Sequence, residues 1–111
     1  KESIPQKPKD SDLFFLKSRG GDARAYFHDG KLTILAGSIL ASTSAPSLST
    51  KMKRDQMVQN LTNEVNGKRV LSVNVELSPS TAASFVSGAS QNGWFFWKTK
   101  NGEPLDKFRN Q

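Results

Sequence analysis

At 111 residues the chain is long enough for one hydrophobic core and too short for two. It has no cysteine and a single histidine, which excludes disulfide staples and thiolate or multi-histidine metal centres, and leaves serine–histidine catalysis only His28 to draw on. Lys and Arg number 16 against 10 Asp and Glu, a formal charge of +6 that favours polyanionic partners such as nucleic acid.

Residues 1–11 hold two prolines, three lysines and one large apolar side chain, Ile4. Such a segment reads as a disordered linker to an upstream domain, leaving 12–111 as a single accessory domain cut from a longer protein. Leu13 to Leu16 suits a strand, and Gly20-Gly21 a turn. Ala23–His28 and Lys31–Ala36 flank Asp29-Gly30, the dipeptide of type I′ hairpins. A two-residue loop fixes the register, pairing His28 with Lys31, Phe27 with Leu32, Tyr26 with Thr33 and Ala25 with Ile34. Ala25, Phe27, Leu32 and Ile34 then face a core, while Arg24, Tyr26, His28, Lys31 and Thr33 form a basic face with one aromatic.

The serine-rich stretch from Gly37 to Thr50 reads as a mobile loop. A helix follows to about Asn63, with Met57, Val58, Leu61 and Val65 on one face. Lys51, Lys53 and Arg54 crowd its first turn, where the helix dipole disfavours cations, so solvent screens them or they serve an outside partner. Asn66-Gly67 turns the chain into one alternating strand, Val70–Leu77. Ser78 caps the next helix with Pro79 at its first position, and Ala82, Phe85, Val86 and Ala89 make its apolar stripe. Asn92-Gly93 leads into Trp94-Phe95-Phe96-Trp97, read as a strand with large groups on both faces. Leu105 and Phe108 suit a short closing helix. The pattern predicts an α+β domain whose mainly antiparallel sheet, an N-terminal three-strand meander plus later strands, packs with two main helices.

Chemistry has few places to sit. Asp22, Asp29, Glu103 and Asp106 stand beside turns, where solvation explains them, and His28 has no carboxylate obviously placed to orient it. No glycine-rich phosphate loop has the required spacing. The helix start at Ser78, with hydroxyls at Ser80 and Thr81, either receives a phosphate or simply caps a core helix. The run Trp94–Trp97, next to Lys98 and Lys100, is either a stacking platform or core. No apolar run is long enough to span a bilayer.

Ser78-Pro79-Ser80-Thr81-Ala82-Ala83, then Gly88, then Asn92-Gly93-Trp94 with Trp97-Lys98, then Asn101-Gly102 with Leu105, resembles the domain of unknown function numbered 4357. Asp22-Ala23-Arg24-Ala25 and Leu35-Ala36-Gly37-Ser38 are similar to its upstream stretches, with Ala25 and Ala36 standing where the family usually has glycine and lysine. The likeness covers roughly 13–109. It implies an accessory domain of GIY-YIG nucleases and restriction-modification proteins, related to the restriction-enzyme adenine-methylase-associated domain. A GIY-YIG centre needs two tyrosines, and this chain has one.

Residues and resemblance together lead to a non-catalytic, monomeric, cytoplasmic module that needs no cofactor or metal and binds DNA weakly and salt-dependently. The contacts expected are Arg24, Tyr26, Lys31, Lys51, Lys53, Arg54, Ser80, Lys98 and Lys100. The alternative is a protein-interaction or autoregulatory module built on the aromatic Trp94–Trp97 strand.

Overall fold

A computed structural model describes residues 13–109, so the expected linker lies outside the described residues. Among the described residues seven strands and two main helices make the α+β fold: β1 (Leu13–Ser18), β2 (Gly21–His28), β3 (Lys31–Ile34), β4 (Ile39–Leu40), α1 (Lys51–Leu61), β5 (Thr62–Val65), β6 (Lys68–Leu71), β7 (Val75–Leu77) and α2 (Pro79–Ser87). A four-residue helix α3 (Gly93–Phe96) and a closing 3-10 turn (Leu105–Phe108) follow. Every strand pairing is antiparallel, in the order β5-β6-β4-β2-β3-β7, with β1 along the other edge of β2. Among the described residues no helix is long and apolar enough to cross a membrane.

The β2–β3 hairpin has the expected register, His28 opposite Lys31 through Ala25 opposite Ile34. Asp29 and Gly30 both take positive φ, 52° and 77°, as a type I′ turn demands. Ala23, Ala25, Leu32 and Ile34 are completely buried beneath α2, whose Ala82, Ala83, Phe85 and Val86 complete the centre of the core. Val58 of α1, Leu71, Trp97 and Leu105 join the same cluster, so the helices pack on one side of the sheet.

Four expectations give way. The serine-rich stretch is not a free loop. Ile39–Leu40 forms β4, which bridges β2 and β6, and Leu40, Ala41, Ser44 and Leu48 are buried. Backbone bonds from Ala41 N to Val86 O and from Ala45 N to Gly88 O tie it to the end of α2. The first helix stops at Leu61, not Asn63. Thr62 turns extended, and Thr62–Val65 pairs with Lys68–Leu71 in a second hairpin whose turn, Asn66 (φ 52°) and Gly67 (φ 81°), repeats the type I′ geometry. Val65 is therefore an exposed strand residue.

The third change splits Val70–Leu77. Ser72 donates its N–H to Leu61 O, and Asn74 Oδ1 accepts from Ala36 N. The break lets β6 pair with β4 and β5 while β7 pairs with β3, and it leaves Val73 exposed. Fourth, the aromatic run is a helical turn and not a strand. The Asn92 side chain accepts from Trp94 N, and Gly93 N donates to the Ser80 hydroxyl. Residues three apart share a helix face, so Trp94 and Trp97 turn inward while Phe95 and Phe96 turn out.

Gly93 sits directly on the first turn of α2: a Cβ there would overlap the Pro79 carbonyl. Ser78 occupies the N-cap with Pro79 behind it, yet its hydroxyl donates to Thr81 Oγ1 at 2.9 Å and caps no backbone N–H. Gly93→Ala is expected to cost about 3 kcal/mol or more by overpacking, and Trp97→Ala about 3–5 kcal/mol by leaving a cavity. Phe95→Ser should leave stability nearly unchanged, since its ring is half exposed. Chemical denaturation of the three variants gives the ordering, and a Gly93→Ala protein as stable as the parent would contradict the close packing.

Candidate nucleic-acid interface

Two groups of basic side chains emerge on opposite sides of the sheet. The first lies on the face that the helices leave open. Because strand side chains alternate, Arg24, Tyr26 and His28 of β2 point away from the core that Ala23, Ala25 and Phe27 enter. Register extends this face sideways: Phe15 of β1 pairs with Arg24, and Lys98 forms a single bridge with Phe15. Lys98, Phe15 and Arg24 therefore make one cross-strand row, with the two cations roughly 10 Å apart across two strand spacings. Tyr26 stands in the next row between Thr33 and Leu13, which is itself buried, with Lys31 beyond it opposite His28.

Arg24, Lys31 and Lys98 are exposed, and Phe15 and Tyr26 half-buried. Arg24 is anchored through its backbone, whose N–H donates to the Ser38 hydroxyl at 3.1 Å, and its guanidinium reaches over Gly37. Among the described residues, no carboxylate lies within ion-pair distance of Arg24, Lys31 or Lys98. Acids bound the patch instead. Asp22 faces Lys17 at 4.0 Å, Asp29 faces His28 at 3.2 Å, and Glu76 pairs opposite Thr33 on β7. Asp29 is thus the histidine partner not foreseen from sequence, though both side chains stand in solvent, 73% and 86% exposed. Lys100 is exposed in the turn after Lys98.

The second group is on the helical side, and it divides further. Lys51 is held by Asp55 at 3.1 Å, while Lys53 is exposed beside a cleft of about 340 Å³ between α1 and α2. Arg54 is not a surface contact at all. Its side chain is 3% exposed, and the guanidinium donates to Phe85 O (3.1 Å), Ala41 O (2.7 Å) and Ser44 Oγ (3.2 Å). Burial pushes its pKa down, with Asp55 opposing and Arg19 adding to the fall. Ser80 lines the same cleft, but its hydroxyl accepts from Gly93 N, so it serves the packing of α3. The residues named from sequence therefore do not share one face: Arg24, Tyr26, Lys31 and Lys98 come together, and Lys51, Lys53 and Ser80 lie behind the sheet.

The aromatic platform is also displaced. Trp97 is fully buried, and Trp94 is closed in by Phe27 edge-on at 5.7 Å and by Arg109 stacked at 4.2 Å. The outward rings beside the cations are Phe15 and Tyr26. Phe15 belongs to the apolar run Leu13–Leu16, and only its place in the alternation of β1, opposite Arg24, sets it apart.

Against known proteins, the model of the family described as Domain of unknown function (DUF4357) matches residues 14–109. The chain belongs to this family. No curated protein and no solved structure matches it.

Asp55 offers a check on the helical side. A hydrogen bond from Ser44 (2.6 Å) and one from Lys51 (3.1 Å) hold its carboxyl below the ordinary carboxylate range. A depressed pKa means that the unfolded chain binds the proton more readily, so this stabilisation is in force above the unfolded value and is lost as pH falls through the folded one. Thermal melts from neutral pH down through the carboxylate range should show a shallower acid decline for Asp55→Asn than for the parent. Identical profiles would remove Asp55 from the account.

Proposed function

We propose that the chain is a non-catalytic accessory DNA-binding domain that holds DNA phosphates on the open face of its sheet. The observation behind it is the row Lys98–Phe15–Arg24, with Tyr26 and Lys31 beside it and no carboxylate among the described residues in reach of its three cations. Cations paired with acids are neutralised within the protein, whereas cations without such a partner are available to a polyanion. The overall charge of +6 supports the same reading. So does the resemblance read from the sequence, which implies a cytoplasmic module beside a GIY-YIG nuclease or restriction-modification enzyme that supplies the chemistry.

A second reading is docking of a protein surface, from a partner or from the parent enzyme, on Phe95 and Phe96. Its support is that these neighbouring rings are 49% and 45% exposed. Substituting both with serine would abolish such docking and leave DNA binding intact.

Three cations can neutralise about two or three phosphates, so a log–log salt slope of roughly −2 to −3 on duplex DNA is expected, with dissociation constants on the order of 10⁻⁴–10⁻⁶ M. Arg24→Glu combined with Lys98→Glu should weaken binding and flatten the slope without changing the melting temperature, while Lys51→Glu should do little. Gel shifts or anisotropy across a salt series measure this. Binding that ignores the Arg24 and Lys98 reversals would sink the assignment to this face.

A further inference from the structure

Reading a duplex groove takes an element narrow enough to enter it, a helix or a free two-stranded ribbon. The open face has neither. The helices pack behind the sheet, and the β2–β3 hairpin is flanked by β1 as far as Tyr26 and by β7 from Leu32 to Ile34, so only its tip stands clear. That tip carries Asp29, an acid that a phosphate would avoid.

What the face does present is rings set among cations. Phe15 stands between Lys98 and Arg24 in their row, and Tyr26 is its diagonal neighbour across the β1–β2 pair, roughly 7–8 Å away. Each ring is half-buried, with part of its surface open. Unpaired bases expose π faces that stack on such rings whatever their sequence, and sheet faces are a recurrent place for it. Charge also gives the strand a direction. Glu76 closes the β7 side, so a polyanion is guided from Lys31 across β2 and β1 toward Lys98.

We infer that the open sheet face takes single-stranded DNA, stacking one base on Phe15 and one on Tyr26 while Arg24 holds the phosphate between them and Lys31 and Lys98 hold those on either side. The inference rests on the DNA reading above and narrows it to one form of the polymer.

The test is anisotropy at low salt with four probes of about ten nucleotides, within the usual site size for single-strand binders. They are oligo-dT, the same length of abasic deoxyribose-phosphate, a duplex, and oligo-rU. Stacking on one ring or more predicts that oligo-dT binds at least about fivefold more tightly than the abasic strand, which has the phosphates and lacks the bases. Phe15→Leu and Tyr26→Leu, where the melting temperature is kept, should erase that preference and leave abasic affinity and salt slope unchanged. The comparison of probes on the parent protein needs no variant and tests the stacking even if a substitution unfolds the domain. Equal affinity for dT and abasic strands overturns the stacking while the DNA reading stands. Tighter binding to duplex or to oligo-rU than to oligo-dT also overturns it. Failure to bind any probe removes the DNA reading itself.

Discussion

A guanidinium enclosed between α1, α2 and the serine-rich segment holds the helical half of the domain in one arrangement. Arg54 reaches the carbonyls of Ala41 and Phe85 and the Ser44 hydroxyl, which in turn donates to Asp55. Removing a charge from water costs several kcal/mol, and the cost is met only when geometry and hydrogen bonds are good. Here the apolar contribution of α1 is thin, with Val58 buried and Met57 and Leu61 only partly so. A polar tie of fixed geometry thus sets where α1 lies against α2, and it orders a stretch whose composition alone would leave it loose.

A second constraint explains the stretch that carries the family likeness. Ser80, Gly93 and Asn92 form a clasp: the Ser80 hydroxyl accepts from Gly93 N, Gly93 rests on the Pro79 carbonyl, and Asn92 caps the turn that buries Trp97. Gly88 ends α2 in the left-handed conformation beside Thr43. These residue types follow from packing. The signature therefore reports the fold, while the face proposed for binding lies across the sheet from it, among side chains that the fold leaves free to vary.

The contrast between hairpin and helix shows what could be read from sequence. Asp29-Gly30 determines register because only two residues intervene, and the face shared by Arg24, Tyr26 and Lys31 follows by alternation. Asn66-Gly67 carries the same signal, but helical spacing of Val65 with Leu61 masked the short strand before it. Periodicity failed at Trp94–Trp97 because four apolar residues fit a strand or a turn equally well, and a side-chain cap at Asn92 decided between them. Arg54 looked like a surface cation because burial depends on carbonyls supplied by Ala41 and Phe85, distant in sequence. Its misplacement at a helix N-terminus was the visible trace of an inside use. Lys98 joins Arg24 only through the bridge to Phe15, a tertiary fact with no local signature.

The pairing of β7 with β3 has a consequence for how the chain acquires its shape. The two N-terminal hairpins and the β5–β6 hairpin bring together residues close in sequence, whereas Leu32–Ile34 meets Val75–Leu77 only after about forty intervening residues are in place. Local contacts form at small loop-closure entropy and distant ones wait for it to be offset. The meander and the second hairpin are thus natural early units, and β4 is the hinge that joins them. Until β7 docks, the outer edge of β3 is an unpaired strand edge open to a neighbouring chain. Once β7 arrives, the free edge passes from β3 to β7, the terminal strand of the path.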